Sequence, residues 1–155
     1  MLRAGELAPD FTATTSNGKT LTLSTLRGRR VVLFFFPKAF TTGCTIETRR
    51  FRDHYSDIAA LGAEVIGISV DNDQTQCEFA SKEGVPFPMI GDASRTINRS
   101  YDVLWPLLGV SQRVTYVIGP DGRIELVLHH ELLVNKHLDE VKRHLQSQPR
   151  PQSGA

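Results

Sequence analysis

The chain has 155 residues, 40% of them hydrophobic and 23% charged, with a formal net charge of +1. That length suits one domain with a sizeable core, and the composition points to neither a disordered nor a membrane-embedded body. The near-balanced charge gives no global basic field, so no nucleic-acid partner is expected.

The opening stretch "MLRAGELAPDF" lacks the apolar run of a signal peptide, and no later stretch approaches the roughly 18 apolar residues of a membrane span. No membrane partner and a cytoplasmic location are therefore expected. Two cysteines, Cys44 and Cys77, cannot build a secreted-type disulfide scaffold, which leaves packing, ligation or reactivity at sulfur.

Taken in chain order, "FTATTSNGKTLTLSTLRG" alternates apolar and polar residues around Asn17-Gly18 and predicts a hairpin pairing Phe11 to Thr14 with Thr20 to Leu23. Ser24 is expected to cap a short turn ending at Gly28. "RVVLFFF", residues 30–36, is continuously apolar and predicts a central strand buried on both faces. From Cys44 the apolar positions Phe51, Tyr55, Ile58 and Leu61 recur at helical spacing, with Gly62 closing the helix. "AEVIGISV", residues 63–70, predicts a second buried strand, and Asp73 the cap of a helix reaching Gly84, beyond which Pro86 and Pro88 forbid continuation. Strand, helix, strand, helix implies a right-handed crossover and a parallel core.

A helix is expected from about Ala93 to Tyr101, then a loop holding Trp105, Pro106 and Gly109. "VTYVIGPDGRIELVLHH" places Pro-Asp-Gly-Arg between two strands as a second hairpin. Asn135 is expected to cap a last helix with Leu138, Val141 and Leu145 on its apolar face. The domain is expected over residues 1–146, with a disordered tail over 147–155.

Cys44 falls where a strand hands over to a helix, at the carboxyl end of a parallel strand, where open α/β sheets carry their functional loops. Unpaired N–H groups at a helix start favour an anion, and a thiolate is one. A small buried hydrophobe is the alternative at this point.

The neighbouring residues Pro37, Thr41 and Cys44 form Pro-x-x-x-Thr-x-x-Cys, with Glu47 one helical turn later. This resembles the peroxiredoxin active-site signature, and "FFFPKAFTTGCTIE" is most similar to the Q, or bacterioferritin-comigratory, subfamily. "APDFTATTSNGKTLTLSTLRG", "VIGISVDNDQTQCEFASKEGVPFPMIGD" and "RVTYVIGPDGRI" resemble further peroxiredoxin segments in order. The resemblance implies a thioredoxin-like α/β fold with an N-terminal β-hairpin and a mixed central sheet flanked by helices. It implies Cys44 as the peroxide-attacking residue, Thr41 as a hydroxyl partner and Arg113 as the active-site arginine.

It also implies hydrogen peroxide or a small organic hydroperoxide as substrate, thioredoxin or another thiol as reductant, no cofactor, and a monomer or weak dimer. A peroxide-sensing thiol module acting through a protein partner starts from the same sulfenic acid and is the alternative. Three departures stand out. Arg49 occupies a position where the subfamily often has a resolving cysteine, Thr42 replaces the proline after the motif threonine, and Cys77 lies near, not at, the alternative resolving position, Ala80.

Chemically, lowering a thiol's pKa from about 8.5 to about 5.5 raises its thiolate fraction at pH 7 roughly 30-fold. The accompanying loss of nucleophilicity is of similar size, on the order of 15- to 30-fold. Rate must then come from fixed donors that hold both peroxide oxygens as the O–O bond stretches: Thr41, the backbone N–H groups of Gly43 and Cys44, and Arg113. Glu47 would repel a thiolate unless paired, by the resemblance with Arg113 and otherwise with Arg50.

Cys77 is expected to be exposed, about 200° around its helix from a core-facing Phe79. Its two roles are capture of the sulfenic acid on Cys44, which needs Cβ atoms within about 4.5 Å, or that of a surface thiol beside externally driven recycling. Phe40 and Trp105 either shape the peroxide pocket or simply pack, and packing is the expectation for each. Cys44 and Arg50 also match Cys-x5-Arg of cysteine phosphatases, but "TIETR" has no glycine and places a carboxylate in the phosphate cradle. There is no Cys-x-x-Cys, and His129-His130 read as surface residues, not metal ligands.

Overall fold

The computed structural model describes residues 1–149. Of the disordered tail expected over residues 147–155, residues 150–155 lie outside the described residues, whereas Ser147 closes the last helix and Pro149 O accepts from Arg30 Nη1 at 2.6 Å, so the ordered chain runs past 146.

The Asn17-Gly18 turn joins β1 (Thr12–Thr14) to β2 (Thr20–Thr22) in an antiparallel pair. Gly18 has φ 79, which is why glycine belongs there. A 3-10 helix follows over Leu23–Leu26, with Thr22 at its N-cap and no side-chain cap bond. Ser24 therefore lies inside the turn and does not cap it; its backbone N–H instead donates to Asp10 Oδ1 at 2.9 Å.

The main sheet has five strands in the order β5-β4-β3-β6-β7. β3 (Arg30–Phe35), the central strand, is buried along its whole length. It runs parallel to β4 (Ala63–Ser69), which runs parallel to β5 (Met89–Gly91), a short strand that the two preceding prolines, Pro86 and Pro88, hide in the sequence. β6 (Val114–Ile118) joins β3 antiparallel, and β7 (Ile124–His129) joins β6 antiparallel across the Pro-Asp-Gly-Arg turn. The sheet is therefore mixed.

Because strand side chains alternate, β3 feeds two cores. Val32, Phe34 and Phe36 pack with Phe51, Ile58, Phe79, Leu138, Val141 and Leu145 from the helices on one face. Val31, Leu33 and Phe35 pack on the other with Tyr101, Tyr116, Phe11 and Leu21. The buried tyrosines keep their hydroxyls satisfied, Tyr101 donating to Pro9 O at 2.6 Å and Tyr116 to Tyr101 O at 2.7 Å.

Four expected helix boundaries are corrected. The first helix starts before Cys44 and is interrupted: α1 spans Thr42–Asp53, His54 leaves helical geometry, and α2 spans Tyr55–Ala60. Apolar spacing marks a buried face and does not report a break in the backbone ladder. Gly62 follows with φ 84 as expected.

α3 spans Asp73–Glu83 but is capped by Asn72, whose side chain accepts from Thr75 N at 2.8 Å. Asp73 is its first residue. α4 is only Thr96–Ser100, because Asp92 draws the chain in by accepting from Ile97 N and Asn98 N. α5 spans Asn135–Ser147 with Val134, not Asn135, at the N-cap, and Leu138, Val141 and Leu145 are buried as expected.

Candidate active site

β3 delivers the chain to the site. Phe36 N donates to Ile68 O at 3.0 Å, the last rung toward β4, and Pro37, which has no N–H, turns the chain off the sheet. The loop is held from the end of β4. Asp71 Oδ2 accepts from Ala39 N at 2.7 Å and from Ser69 Oγ at 2.6 Å.

Phe40 then adopts φ 66, the left-handed region, and its ring meets Phe79 edge-on at 5.2 Å with Lys82 Nζ 5.6 Å from the ring centre. Phe40 packs, as expected. Trp105 lies with its ring centre 6.4 Å from that of His129.

Thr41 is the N-cap of α1, yet its hydroxyl donates backward to Lys38 O at 2.7 Å and makes no cap bond. The first helical rung is Thr45 N to Thr41 O at 2.9 Å. The N–H groups of Thr42, Gly43 and Cys44 precede that rung, so the helix itself offers them no acceptor. They form a small positive end beside a sulfur that is 1% exposed.

Arg113 reaches this sulfur from the start of β6. Its Nη2 donates to Cys44 Sγ at 3.6 Å and its Nη1 to Glu47 Oε1 at 2.7 Å. Two further bonds hold it in place: Nε donates to Glu131 O at 3.0 Å, and its backbone N–H to Glu131 Oε2 at 2.9 Å. Glu131 Oε2 is in turn 2.6 Å from His129 Nε2.

Gly43 is a close-approach glycine, since a Cβ there would stand 3.2 Å from Arg113 Nη2. Glu47 pairs with Arg113, as the family resemblance implied; Arg50 points instead to Asp139, 3.6 Å away.

Behind Glu47 sits a residue the sequence reading did not single out. His137, fully buried on α5, accepts or donates at Nδ1 with Thr115 Oγ1 (2.7 Å), while Nε2 faces His130 O at 3.0 Å. Its Nδ1 is 3.6 Å from Glu47 Oε2. Burial pushes the Glu47 carboxyl up to about 7 against the pull of Arg113, and burial pushes His137 down to about 4.

These shifts act on stability with opposite signs. The raised Glu47 value stabilises the fold below pH 4.5 and loses that contribution as pH rises through about 7. The depressed His137 value stabilises above pH 6.5 and loses its contribution as pH falls through about 4. Between them the slopes cancel. Glu47→Gln removes one partner, so the unfolding free energy is expected to rise by about 2 kcal/mol from pH 4.5 to 6.5, measured by urea denaturation, where the unsubstituted pair contributes almost no slope.

Cys77 lies elsewhere. It is exposed on α3, and its thiol approaches Ser16 O in the hairpin turn at 3.6 Å. Arg49, at the other resolving position, is bound to Glu83 across α1 and α3 by a short ion pair of 2.5 Å. Ala80 is buried. His129 and His130 each face a carboxylate, Glu131 and Glu140, and the described residues contain no cluster of three or more potential metal ligands. No described helix is long and apolar enough to cross a membrane.

A family model described as AhpC/TSA matches residues 4–127. The chain belongs to that family. It is 38% identical over 144 residues to the chloroplastic peroxiredoxin Q of Populus jackii, covering 92% of this chain and 68% of that one. Its fold superposes on the crystal structure of the peroxidoxin BcpB from Mycobacterium tuberculosis with a TM-score of 0.89 at 32% identity, covering 96% and 99% of the two chains. A Xanthomonas campestris bacterioferritin comigratory protein, described for its alkyl peroxide reduction activity, matches with a TM-score of 0.84 at 27% identity over 94% and 98%.

The AhpC/TSA assignment makes the chain a peroxiredoxin with a thioredoxin-like fold, a thiol-dependent peroxidase using a peroxide and a thiol reductant. Three groups that build this peroxiredoxin's Cys44 environment, Asp71, Glu131 and His137, were missed by the sequence reading. Asp71 alone left a local signal, an acidic residue directly after a buried strand.

Proposed function

We propose that Cys44 is the peroxide-attacking nucleophile, reducing hydrogen peroxide or small organic hydroperoxides. The single observation that carries this is the Arg113 guanidinium, bound to Cys44 Sγ at 3.6 Å and braced by Glu47 and Glu131. The alkyl peroxide activity of the Xanthomonas relative supports the organic branch of that substrate class.

The thiolate attacks one peroxide oxygen, forming S–O as O–O breaks, and charge develops on the departing oxygen. In this reading the donors beside the sulfur, Arg113 Nη2 and the N–H groups of the first turn of α1, stabilise that charge. Pro37 sets the turn out of β3, and Thr41 sets the helix start. With its hydroxyl proton engaged by Lys38 O, Thr41 offers an oxygen that can accept the hydroperoxide's own proton.

Recycling falls to Cys77 in this reading. The two sulfurs occupy separate helices, one buried and one exposed, so a disulfide needs the first turn of α1 or the middle of α3 to open. Thioredoxin, or another small dithiol, then reduces the Cys44–Cys77 bond.

Intact mass after one equivalent of hydrogen peroxide tests the recycling step. A loss of two hydrogens, abolished by Cys77→Ser, is expected. Accumulation of a trappable sulfenic acid on Cys44 in the unsubstituted chain would instead assign its reduction to an external thiol.

A further inference from the structure

Arg113 supplies one positive charge to two acidic groups, and both are buried. Its side chain is 8% exposed and that of Glu47 is 1% exposed; Cys44 is equally closed off. A thiolate and a carboxylate together would leave one uncompensated negative charge in the protein interior, a costly state.

The carboxyl oxygens are not equivalent. Glu47 Oε1 accepts from Arg113 at 2.7 Å, whereas Oε2 is buried without any hydrogen-bond partner. What Oε2 faces is His137 Nδ1 at 3.6 Å. The His130 carbonyl can only accept, so the proton of a neutral His137 belongs on Nε2. Nδ1 then carries a single lone pair, shared between the Thr115 hydroxyl at 2.7 Å and the carboxyl group at 3.6 Å. A carboxylate at Oε2 meets repulsion there, and a carboxylic acid meets a base.

The remaining charged groups around the pair are accounted for. Glu131 approaches the backbone of Arg113 from the loop after β7. His130 and Glu140 interact with each other on the far side of the imidazole, at 3.3 Å. Within this cluster no second cation faces Glu47.

We infer that Glu47 and His137 form an internal proton store for Cys44: the proton given up by the thiol is kept on Glu47 Oε2 against His137 Nδ1 and returned to the product, not exchanged with solvent. The inference rests on Cys44 being the nucleophile. In the resting exchange, Cys44 S–H and the Glu47 carboxylate become thiolate and carboxylic acid, and the cluster with Arg113 stays neutral in both forms.

The thiolate then attacks ROOH; the S–OH bond forms, the O–O bond breaks, sulfur loses two electrons and the peroxide gains them, leaving RO⁻. That anion takes the stored proton, giving ROH and restoring the Glu47 carboxylate. The sum is thiol plus ROOH giving sulfenic acid plus ROH. No net proton enters or leaves.

The test counts protons. The full-length chain is oxidised by one equivalent of hydrogen peroxide in weakly buffered solution at pH 7 with an indicator dye, sulfenic acid is titrated in parallel, and the resting thiolate is read from its ultraviolet absorbance. The expected result is a measurable thiolate with close to zero protons taken up per sulfenic acid formed. Glu47→Gln keeps an acceptor for Arg113 but stores no proton, so its uptake is expected to rise to about one proton per sulfenic acid, with a larger resting thiolate fraction.

His137→Asn presents an amide that can donate to Oε2 and so keeps Glu47 charged. It is expected to lower the resting thiolate fraction, opposite in sign to Glu47→Gln, which a purely structural role for either residue would not produce. Equal proton uptake by the unsubstituted chain and Glu47→Gln, or thiolate changes of the same sign in both variants, overturns the store. Failure of peroxide to form any sulfenic acid on Cys44 in the unsubstituted chain overturns the nucleophile assignment and the store with it.

Discussion

Cys44→Ser is expected to abolish peroxide reduction, by at least about 10³-fold, while the protein still folds. The substitution exchanges one small buried atom at the third residue of α1, where the helix ladder and the Arg113–Glu47 pair do not depend on sulfur. A serine hydroxyl in the same field stays neutral at pH 7 and is a poor nucleophile toward peroxide oxygen. Peroxide consumption coupled to a thiol reductant measures the loss, and circular dichroism checks the fold. Residual turnover above about one tenth of the original rate would place the reacting sulfur at Cys77.

Arg113→Met carries two effects that can be separated. Removal of the guanidinium takes away a donor aimed at the sulfur and at the oxygen charge that grows beside it, which is expected to slow Cys44 oxidation by about 10²- to 10³-fold. It also strands Glu47, 1% exposed, with its cation gone. Breaking a buried pair from one side costs about 3–5 kcal/mol.

The sign of that cost with pH follows from Glu47. Its carboxyl already sits at about 7 with Arg113 present, and losing the cation raises it further, so the group is protonated across a wider range. The stability deficit is therefore expected to be largest above pH 7 and to shrink toward pH 5, where the carboxyl is neutral and the missing cation matters least. Urea unfolding at pH 5 and 8 reads the stability effect, and stopped-flow oxidation at pH 7 reads the kinetic one. Arg113→Lys retains the charge but not the fork that spans Sγ, Oε1 and the Glu131 carbonyl, so its rate is expected between the two. An unchanged oxidation rate in Arg113→Met would remove the guanidinium from the chemistry.

Both predictions turn on a constellation that was only partly legible along the chain. The elements whose signals are local were readable: the Asn17-Gly18 hairpin, the unbroken apolar run of β3, the Pro-Asp-Gly-Arg hairpin between β6 and β7, and the strand-to-helix junction that holds Cys44. Helix ends were read less well at Asp73 and Ala93, where one side chain's hydrogen bond decides the start, and at Asn135, where the helix begins after Val134 with no side-chain cap bond. Asn72 competes with Asp73 for that bond, and Asp92 shortens α4.

By itself the sequence determined that a cysteine would stand at a helix start, seven residues after Pro37 and one turn before a carboxylate, because helical pitch and strand length are short-range properties. Beyond the Arg113–Glu47 pair that the family resemblance implied, only the tertiary structure decided which charges meet there. Arg113 comes from the far side of β3, Glu131 from the loop after β7, Asp71 from the end of β4 and His137 from the last helix, and no spacing in the chain encodes that Glu47 Oε2 would be enclosed with an imidazole as its neighbour. Burial is the physical reason: the energy of a charge depends on everything that excludes water around it, and that is a property of the packed fold and not of any segment.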